Sequence, residues 1–411
     1  MFSTSTGVLS LVGVTSFMIA FTYSGQGSQQ PGMGSSWAKH PSWGLVNEAS
    51  EIVKFDLGHL LLEADADELR QTHNAQISTY LLSMIILDAV ERVGVDAAGH
   101  AGHSLGEYSA LTASGAIDFE DGIRLVLERG SAMHESTTNQ TGTMAAVLGI
   151  ADEKVEEICS ALDDDVWVAN YNAPGQVVIA GSPTGVEKAG EAAKNGGAKR
   201  VTPLEVSGAF HTPFMNSARE RLSAAIEETD IRPPQGIVVA NVDGMSHENP
   251  ETWRALMNAQ LSSPVRWHQS LGTLEDRGFL TFIELGPGKV LTGLVKRCVK
   301  NASRYAINTP EDLDSLLESL AGPLPSDSIE ESPEGEHLYA TERLIVSPGA
   351  GIFTPKEGLK IGNPISVGDL LGKVGNEEIR SAFSGLLQGW LAVDTERVTT
   401  SQPIAWLVVQ N

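Results

Sequence analysis

One short segment, AGHSLGEYSAL at residues 101–111, constrains the fold of this chain more than any other. An apolar run from residue 97 leads into it and an apolar stretch follows from residue 108, so a G-x-S-x-G core stands where a strand turns into a helix. The small residues two before and two after Ser104 let the backbone turn tightly there. The hydroxyl of Ser104 is then lifted to the edge of a sheet, and the free amides of the following helix offer a positive dipole to a developing oxyanion.

The surroundings agree with an α/β sheet protein. Short apolar runs at 18–23, 97–103, 236–241 and 281–285 read as strands, and AQISTYLLSMIILDAVERV at 75–93 repeats its apolar positions at helical spacing. A further helix is predicted over 117–133, capped near Asp118. Residues 140–205 read strand–helix–strand–strand–helix–strand, the split ferredoxin-like order, so an inserted subdomain is expected there, with the core formed by 18–139 and 206–321.

Beyond the core, GPLPSDSIEESPEGE has little to bury, and a flexible acidic linker is expected over 322–337. Residues 338–411 change character to strands and glycine-rich turns. Two stretches echo each other about 34 residues apart: LIVSPGAGIF with IRSAFSGLLQ, and ISVGDLLGKV with VTTSQPIAWL. Such a duplication implies two interlocked strand sets about a pseudo-twofold axis. The expected fold class is α/β, with an α/β-hydrolase-like parallel-sheet core, an inserted ferredoxin-like subdomain and a small C-terminal all-β barrel-sandwich domain.

Composition narrows the function. The 411 residues suffice for two or three domains. The formal charge of -24 leaves little cationic field for nucleic acid or anionic lipid, so neither is an expected partner. An anionic substrate must then meet a basic group inside a pocket. Cys159 and Cys298, the only cysteines, make no disulfide framework and no metal-ligand spacing, which fits a reducing cytoplasm. The apolar stretch at 7–21 lacks the basic start of a secretory signal and the length of a membrane span. Residues 1–17 are read as an extension ahead of a buried strand, with Met18 as an alternative start.

A nucleophilic serine needs a base. His211, in VSGAFHTPFM, follows the last subdomain strand and precedes an amphipathic helix. The residues alone leave the role open, because ten histidines compete for it. His103 adjoins the serine, His100 and His103 form a weak metal pair, and His40, His59 and His73 sit in polar or helical stretches. The loop GQGSQ at 25–29 resembles a phosphate loop only weakly; it reads better as a turn whose Gln26 amide joins that of Leu105 in an oxyanion hole. Arg129, in LVLERGSAM, reads either as a buried partner for a substrate carboxylate or as a surface arginine paired with Glu128 or Glu135.

With these residues in view, the region from residue 18 to about 310 resembles the malonyl-CoA:acyl-carrier-protein transacylases. GQGSQQPGMG, AGHSLGEYSAL, LVLERGSAM, NAPGQVVIAG, GAFHTPFM, ANVDG, QLSSPVRW and ELGPGKVLTGL occur in the family's order and approximate spacing. The resemblance implies Ser104 as nucleophile, His211 as base, Arg129 on the malonyl carboxylate, and the Gln26 and Leu105 amides on the thioester oxygen. It further implies that Gln260 orients His211 through its main chain, that Asn170 and Asn172 line the cleft, and that Phe210 favours malonyl over methylmalonyl. No cofactor or metal is implied, and no triad aspartate is expected. Ser24 departs from the family, whose members usually carry proline before GQG.

The implied partners are malonyl-CoA and an acyl carrier protein, in fatty-acid or polyketide synthesis. Carrier proteins are acidic, so Lys289, Lys296, Arg297, Lys300 and Arg304 are expected to form a docking patch, with Lys199 and Arg200 a second candidate. Residues 338–411 resemble biotinyl/lipoyl-attachment domains without the Met-Lys-Met type motif. Lys373 is the lone lysine near the expected hairpin, and an unmodified module contacting a partner such as an acyl-CoA carboxylase is expected. Two alternatives stand beside the transacylase: a serine thioesterase or esterase, and a scaffold subunit of a malonyl-CoA-producing assembly.

Overall fold

The computed structural model describes residues 18–321 and 342–408, apart from 207, 357, 376, 394, 399 and 401. The expected N-terminal extension and the whole of the expected acidic linker lie outside the described residues. Before residue 310 the strands are β1 (Ile19–Tyr23), β2 (Gly99–Gly102), β3 (Thr143–Leu148), β4 (Val166–Ala173), β5 (Gln176–Gly181), β6 (Arg200–Pro203), β7 (Ile237–Val239), β8 (Thr281–Leu285) and β9 (Ser303–Ile307). They form two sheets. One is parallel, in the order β7-β2-β1-β8-β9, and the other antiparallel, in the order β4-β5-β3-β6.

The parallel sheet explains why its strands read as short apolar runs. β1 is central, and its alternate side chains enter different cores: Phe21 and Tyr23 join the larger apolar cluster, while Ala20 joins a second one with Phe282 and Trp267. Helices cover both faces, as an all-parallel sheet requires. The chain order across the sheet reverses between β1 and β8, so the crevice at the carboxyl ends of these strands is where an open α/β sheet binds ligands. The loop after β1 and the Ser104 turn after β2 both open there. Strand β9 (SRYAI) escaped the sequence reading. It is a half-exposed edge strand, and its Ser303 and Arg304 hide the apolar signal.

The helices Thr72–Arg92 and Phe119–Asn139 extend beyond the predicted 75–93 and 117–133 at one end each. Asp118 caps the second, its carboxylate accepting the Asp121 amide at 2.8 Å. The antiparallel sheet carries the helices Asp152–Ser160 and Pro183–Asn195 between its strands, giving the ferredoxin-like arrangement with its own apolar core. It is tied to the core through backbone. The Tyr171 amide donates to the Val265 carbonyl at 2.8 Å, and the Val265 amide to Ala169 at 2.9 Å.

In the C-terminal region the strands are β10 (Glu342–Val346), β11 (Gly351–Pro355), β12 (Pro364–Ile365), β13 (Leu370–Val374), β14 (Glu377–Arg380), β15 (Gly385–Trp390), β16 (Arg397–Val398) and β17 (Pro403–Val408). One sheet runs β10-β17-β15-β12 and the other β14-β13-β11-β16. Shifting every strand by four in the series, as the sequence echo prescribes, converts the first order into the second. Each half therefore supplies two strands to each sheet, and the sheets enclose an apolar core of their own, including Phe353, Leu371, Leu387 and Leu407. Among the described residues no helix is long and apolar enough to cross a membrane.

Candidate active site

The turn after β2 is held by contacts that leave no room for side chains. A Cβ on Gly102 would lie 1.9 Å from Gly106, and one on Gly106 would lie 2.1 Å from the Tyr23 carbonyl oxygen. Between them Ser104 takes the left-handed conformation, φ +54°. For a non-glycine residue that costs about 1–3 kcal/mol, so the surroundings must enforce it. Asn241, just past β7, does so: its side-chain oxygen accepts the Ser104 amide at 2.7 Å, and its Nδ2 donates to the Gly102 carbonyl at 2.7 Å.

His211, also left-handed at φ +61°, meets the serine from the far side of the subdomain insertion. Its Nε2 lies 2.7 Å from Ser104 Oγ, and its Nδ1 lies 3.0 Å from the main-chain oxygen of Gln260. A carbonyl only accepts, so Nδ1 carries the proton and Nε2 is left to accept from the hydroxyl. Burial, and then the Arg129 charge, push His211 down to about 3. The imidazole is thus neutral at physiological pH.

Arg129 is 1% exposed and points inward. Its Nη1 donates to Gln76 Oε1 at 2.6 Å, and its Nη2 donates to Gln260 Oε1 at 3.0 Å and to Ser104 Oγ at 3.1 Å. The guanidinium lies over the Tyr108 ring, 5.4 Å from its centroid. The surface alternative fails because Arg221 occupies both candidate acids, meeting Glu128 at 2.5 Å and Glu135 at 2.6 Å. One of its nitrogens has no partner: Arg129 Nε is buried and no acceptor meets it in bonding geometry. A buried unpaired donor is costly, and a carboxylate reaching Nε would satisfy it with a charge-assisted bond.

Gln260 reaches further. Its Nε2 donates to the Ser104 carbonyl at 2.9 Å and to Glu107 Oε2 at 2.6 Å, while Glu107 Oε1 accepts the Asn241 amide at 2.6 Å. Burial pushes Glu107 up to about 7. Beside His211 a cavity of about 610 Å³ runs between β4 and residues 262–266, lined by Trp167, Tyr171, Pro213 and Arg266 among others.

The other expected residues fall as follows. Gln26 is half-buried in the turn after β1. That loop rests on the elbow, because a Cβ on Gly25 would lie 2.5 Å from the His103 carbonyl oxygen. Leu105 is buried at the start of the helix Gly106–Ala113. Asn170 is buried in β4, and Asn172 places its side-chain oxygen 2.8 Å from His103 Nε2. Phe210 is buried beside His211. Lys289, Lys296, Arg297 and Lys300 are exposed on and around the helix Val290–Cys298, with Arg297 bonded to Gln176.

His100 bonds the Tyr23 hydroxyl and His103 bonds Asn172, so the two do not converge, and among the described residues no cluster of three metal ligands occurs. Ser24 donates to Glu284 within β8 at 3.1 Å and to the Pro287 carbonyl at 3.4 Å, which ties the loop after β1 to β8 and the turn that follows it. Gln76, Glu107 and Asn241 were not singled out from sequence. The available signal was polar side chains in positions the sheet and helix pattern marks as buried.

A serine on a strand-to-helix elbow, bonded to a neutral imidazole and flanked by a buried guanidinium, defines an acyl-transferring enzyme. The acyl transferase domain profile matches residues 20–311, and the chain belongs to that family. It is 40% identical over 307 residues to the malonyl CoA-acyl carrier protein transacylase of Bacillus subtilis, spanning 74% of this chain and 97% of the relative. It is 39% identical over 306 residues to the protein of that name from Escherichia coli K12, spanning 73% and 98%. Among solved structures it resembles an acyl carrier protein S-malonyltransferase from Vibrio cholerae (TM-score 0.70, 38% identity, 73% of this chain and 99% of that one). It also resembles a malonyl-transacylase in complex with a type II PKS acyl-carrier protein (TM-score 0.71, 38% identity, 73% and 99%). The family match ends before the C-terminal module.

Proposed function

We infer that the chain is a malonyl-CoA:acyl-carrier-protein transacylase acting through a Ser104 ester. The observation that carries this reading is the 2.7 Å contact of Ser104 Oγ with His211 Nε2 beside a guanidinium whose Nε lacks an acceptor. Neutral His211 takes the Ser104 proton as Oγ attacks the thioester carbonyl, and the oxyanion is received by the amides of Gln26 and Leu105. Collapse breaks the carbon–sulfur bond, His211 returns its proton to the CoA thiolate, and malonyl-Ser104 remains. The phosphopantetheine thiol of the carrier then gives its proton to His211 and attacks the ester; the proton passes back to Ser104 Oγ as malonyl leaves.

Arg129 sorts the acyl groups. A malonyl carboxylate fills the unpaired Nε, whereas an acetyl group leaves that charge unmatched in a dry site. This is what disfavours a plain esterase or thioesterase. Gln260 holds His211 by its carbonyl and Arg129 by its side chain; Asn170, Asn172 and Phe210 shape the cleft. Lys289, Lys296, Arg297 and Lys300 offer the acidic carrier a basic face. The product serves fatty-acid or polyketide synthesis in the cytoplasm.

The C-terminal module is proposed as an unmodified biotinyl/lipoyl-like partner-binding unit, with an acyl-CoA carboxylase as one expected partner. In support, Lys373 lies within β13 opposite Glu378 rather than in the turn after it. Intact-mass measurement after mixing with malonyl-CoA tests the central reading. A malonyl adduct is expected on wild type, absent from Ser104→Ala, and lost on adding carrier protein; an adduct of equal yield on Ser104→Ala would refute the assignment.

A further inference from the structure

Glu107 is 1% exposed, and a carboxylate so placed costs several kcal/mol unless its surroundings need it. Its two oxygens do separate work. Oε1 accepts the Asn241 amide at 2.6 Å, and Asn241 in turn holds the amide of Ser104 and the carbonyl of Gly102. Oε2 accepts Gln260 Nε2 at 2.6 Å; that amide also holds the Ser104 carbonyl, its Oε1 holds Arg129, and its main chain holds His211. Every reacting side chain is therefore one residue away from the Glu107 carboxylate, which touches none of them; the Glu107 main-chain amide meets only the Ser104 carbonyl, at 3.2 Å.

Building on the transacylase reading, we propose that Glu107 is the positioning residue of this site: its ionised carboxylate clamps Asn241 and Gln260, and through them fixes Ser104, His211 and Arg129 relative to one another. The charge matters for a geometric reason. Both neighbours present N–H donors, so a carboxylate matches them with two acceptors, while a proton on either oxygen would face a donor and weaken one side of the clamp. The charged and titratable groups around it are Arg129 from the helix Phe119–Asn139, Asp243 beyond β7, Tyr108 on its own helix, and His211 across Gln260. Arg129 favours the ionised form and Asp243 opposes it; burial is the larger influence and raises Glu107 into the neutral range. His211 is already neutral far below that range. Protonation of Glu107, rather than of His211, then limits the reaction on the acid side.

The test is malonyl transfer to carrier protein, with kcat and KM measured from pH ~5 to ~9 for the full chain and for Glu107→Gln. Wild type should gain kcat/KM through an acidic limb centred near neutrality. The variant should lose about 10- to 100-fold in kcat with a much smaller change in KM, and its limb should vanish or move. A variant with wild-type kcat, or one retaining an unmoved limb, overturns the proposal, as does a wild-type profile flat from pH ~5 to ~8.

Should Glu107→Gln fail to fold, the infrared carboxyl band of wild type decides. A buried protonated-acid band titrating with the limb supports the clamp, and a limb without that band refutes it. A wild type that forms no malonyl adduct at all would instead bring down the transacylase reading, so the two failures are distinguishable.

Discussion

In the C-terminal module the buried polar side chains among the described residues are Ser347 and Ser381. Each closes only its own turn, donating to the Gly349 carbonyl at 2.6 Å and to the Phe383 carbonyl at 2.7 Å. In the acyltransferase core, by contrast, Gln76, Glu107, Arg129, His211, Asn241 and Gln260 are all buried, and each bonds Ser104 or a residue that bonds it. Both regions are closed around apolar side chains, so packing does not separate them. What separates them is where desolvated polar groups gather. Burying such groups is unfavourable unless each finds a partner, and a converging set rigidifies a geometry that an apolar core would leave unspecified. The core spends stability on one arranged point; the module keeps its interior dry and leaves its specificity to its surface.

The sharpest challenge to that contrast is to remove the imidazole that meets Ser104. His211→Ala should lower kcat for malonyl transfer by about 10²–10⁴ while leaving thermal unfolding nearly unchanged near neutral pH; a variant within tenfold of wild type would mean the convergence is structural. Because the folded-state value of His211 lies below its ordinary 6.5, the folded chain binds fewer protons there than the unfolded chain does. Its contribution to stability is present above 6.5 and is lost as pH falls toward about 3. The alanine variant should therefore lose less of its melting temperature between those limits than wild type does.

Next in size is the guanidinium. Arg129→Ala removes one partner of a desolvated ion pair, worth about 3–5 kcal/mol, so malonyl kcat/KM should fall roughly 150- to 5,000-fold. Acetyl transfer should hold or rise, and kinetics with both acyl-CoA substrates read the ratio directly. Equal losses for both would show that Arg129 serves the elbow and not the substrate. Cutting the packing of the other region should do the reverse. Leu407→Ala in β17, at a fully buried position, should destabilise the module by about 2–5 kcal/mol in a calorimetric scan with no change in transfer rate.

How much of this was readable beforehand follows the same divide. The elbow was legible because G-x-S-x-G, a strand run and a helix run lie within a dozen residues, and the C-terminal sheets because a repeat of about 34 residues prescribes a twofold exchange of strands. The inserted subdomain showed in the alternation of its own strands and helices. The contacts of Glu107, Asn241 and Gln76 were illegible for a physical reason: they join residues between 53 and 153 positions apart, and spacing carries no information across such distances. Arg129 was ambiguous because a helix position with two neighbouring acids fits a surface pair equally well, until Arg221, 86 and 93 positions from those acids, is found holding both. β9 was missed because an edge strand does not need the apolar face that marks a central one.

The smallest expected effect is the most demanding of the contrast. Ending the chain after Ala321 removes the acidic stretch and the whole module while keeping every residue that bonds Ser104, His211 or Arg129. The module has its own enclosed cluster, and the family match ends at residue 311, so the two regions do not share a core. The shortened chain should keep the kcat and KM of the full one for malonyl-CoA and for free carrier protein. A fall in kcat would mean that the module steadies the elbow. A rise in KM for carrier alone would mean that it recruits the partner. An unchanged pair of constants leaves the module the task of tethering the enzyme to a larger assembly, where the rate advantage comes from local concentration and not from any new contact at the serine.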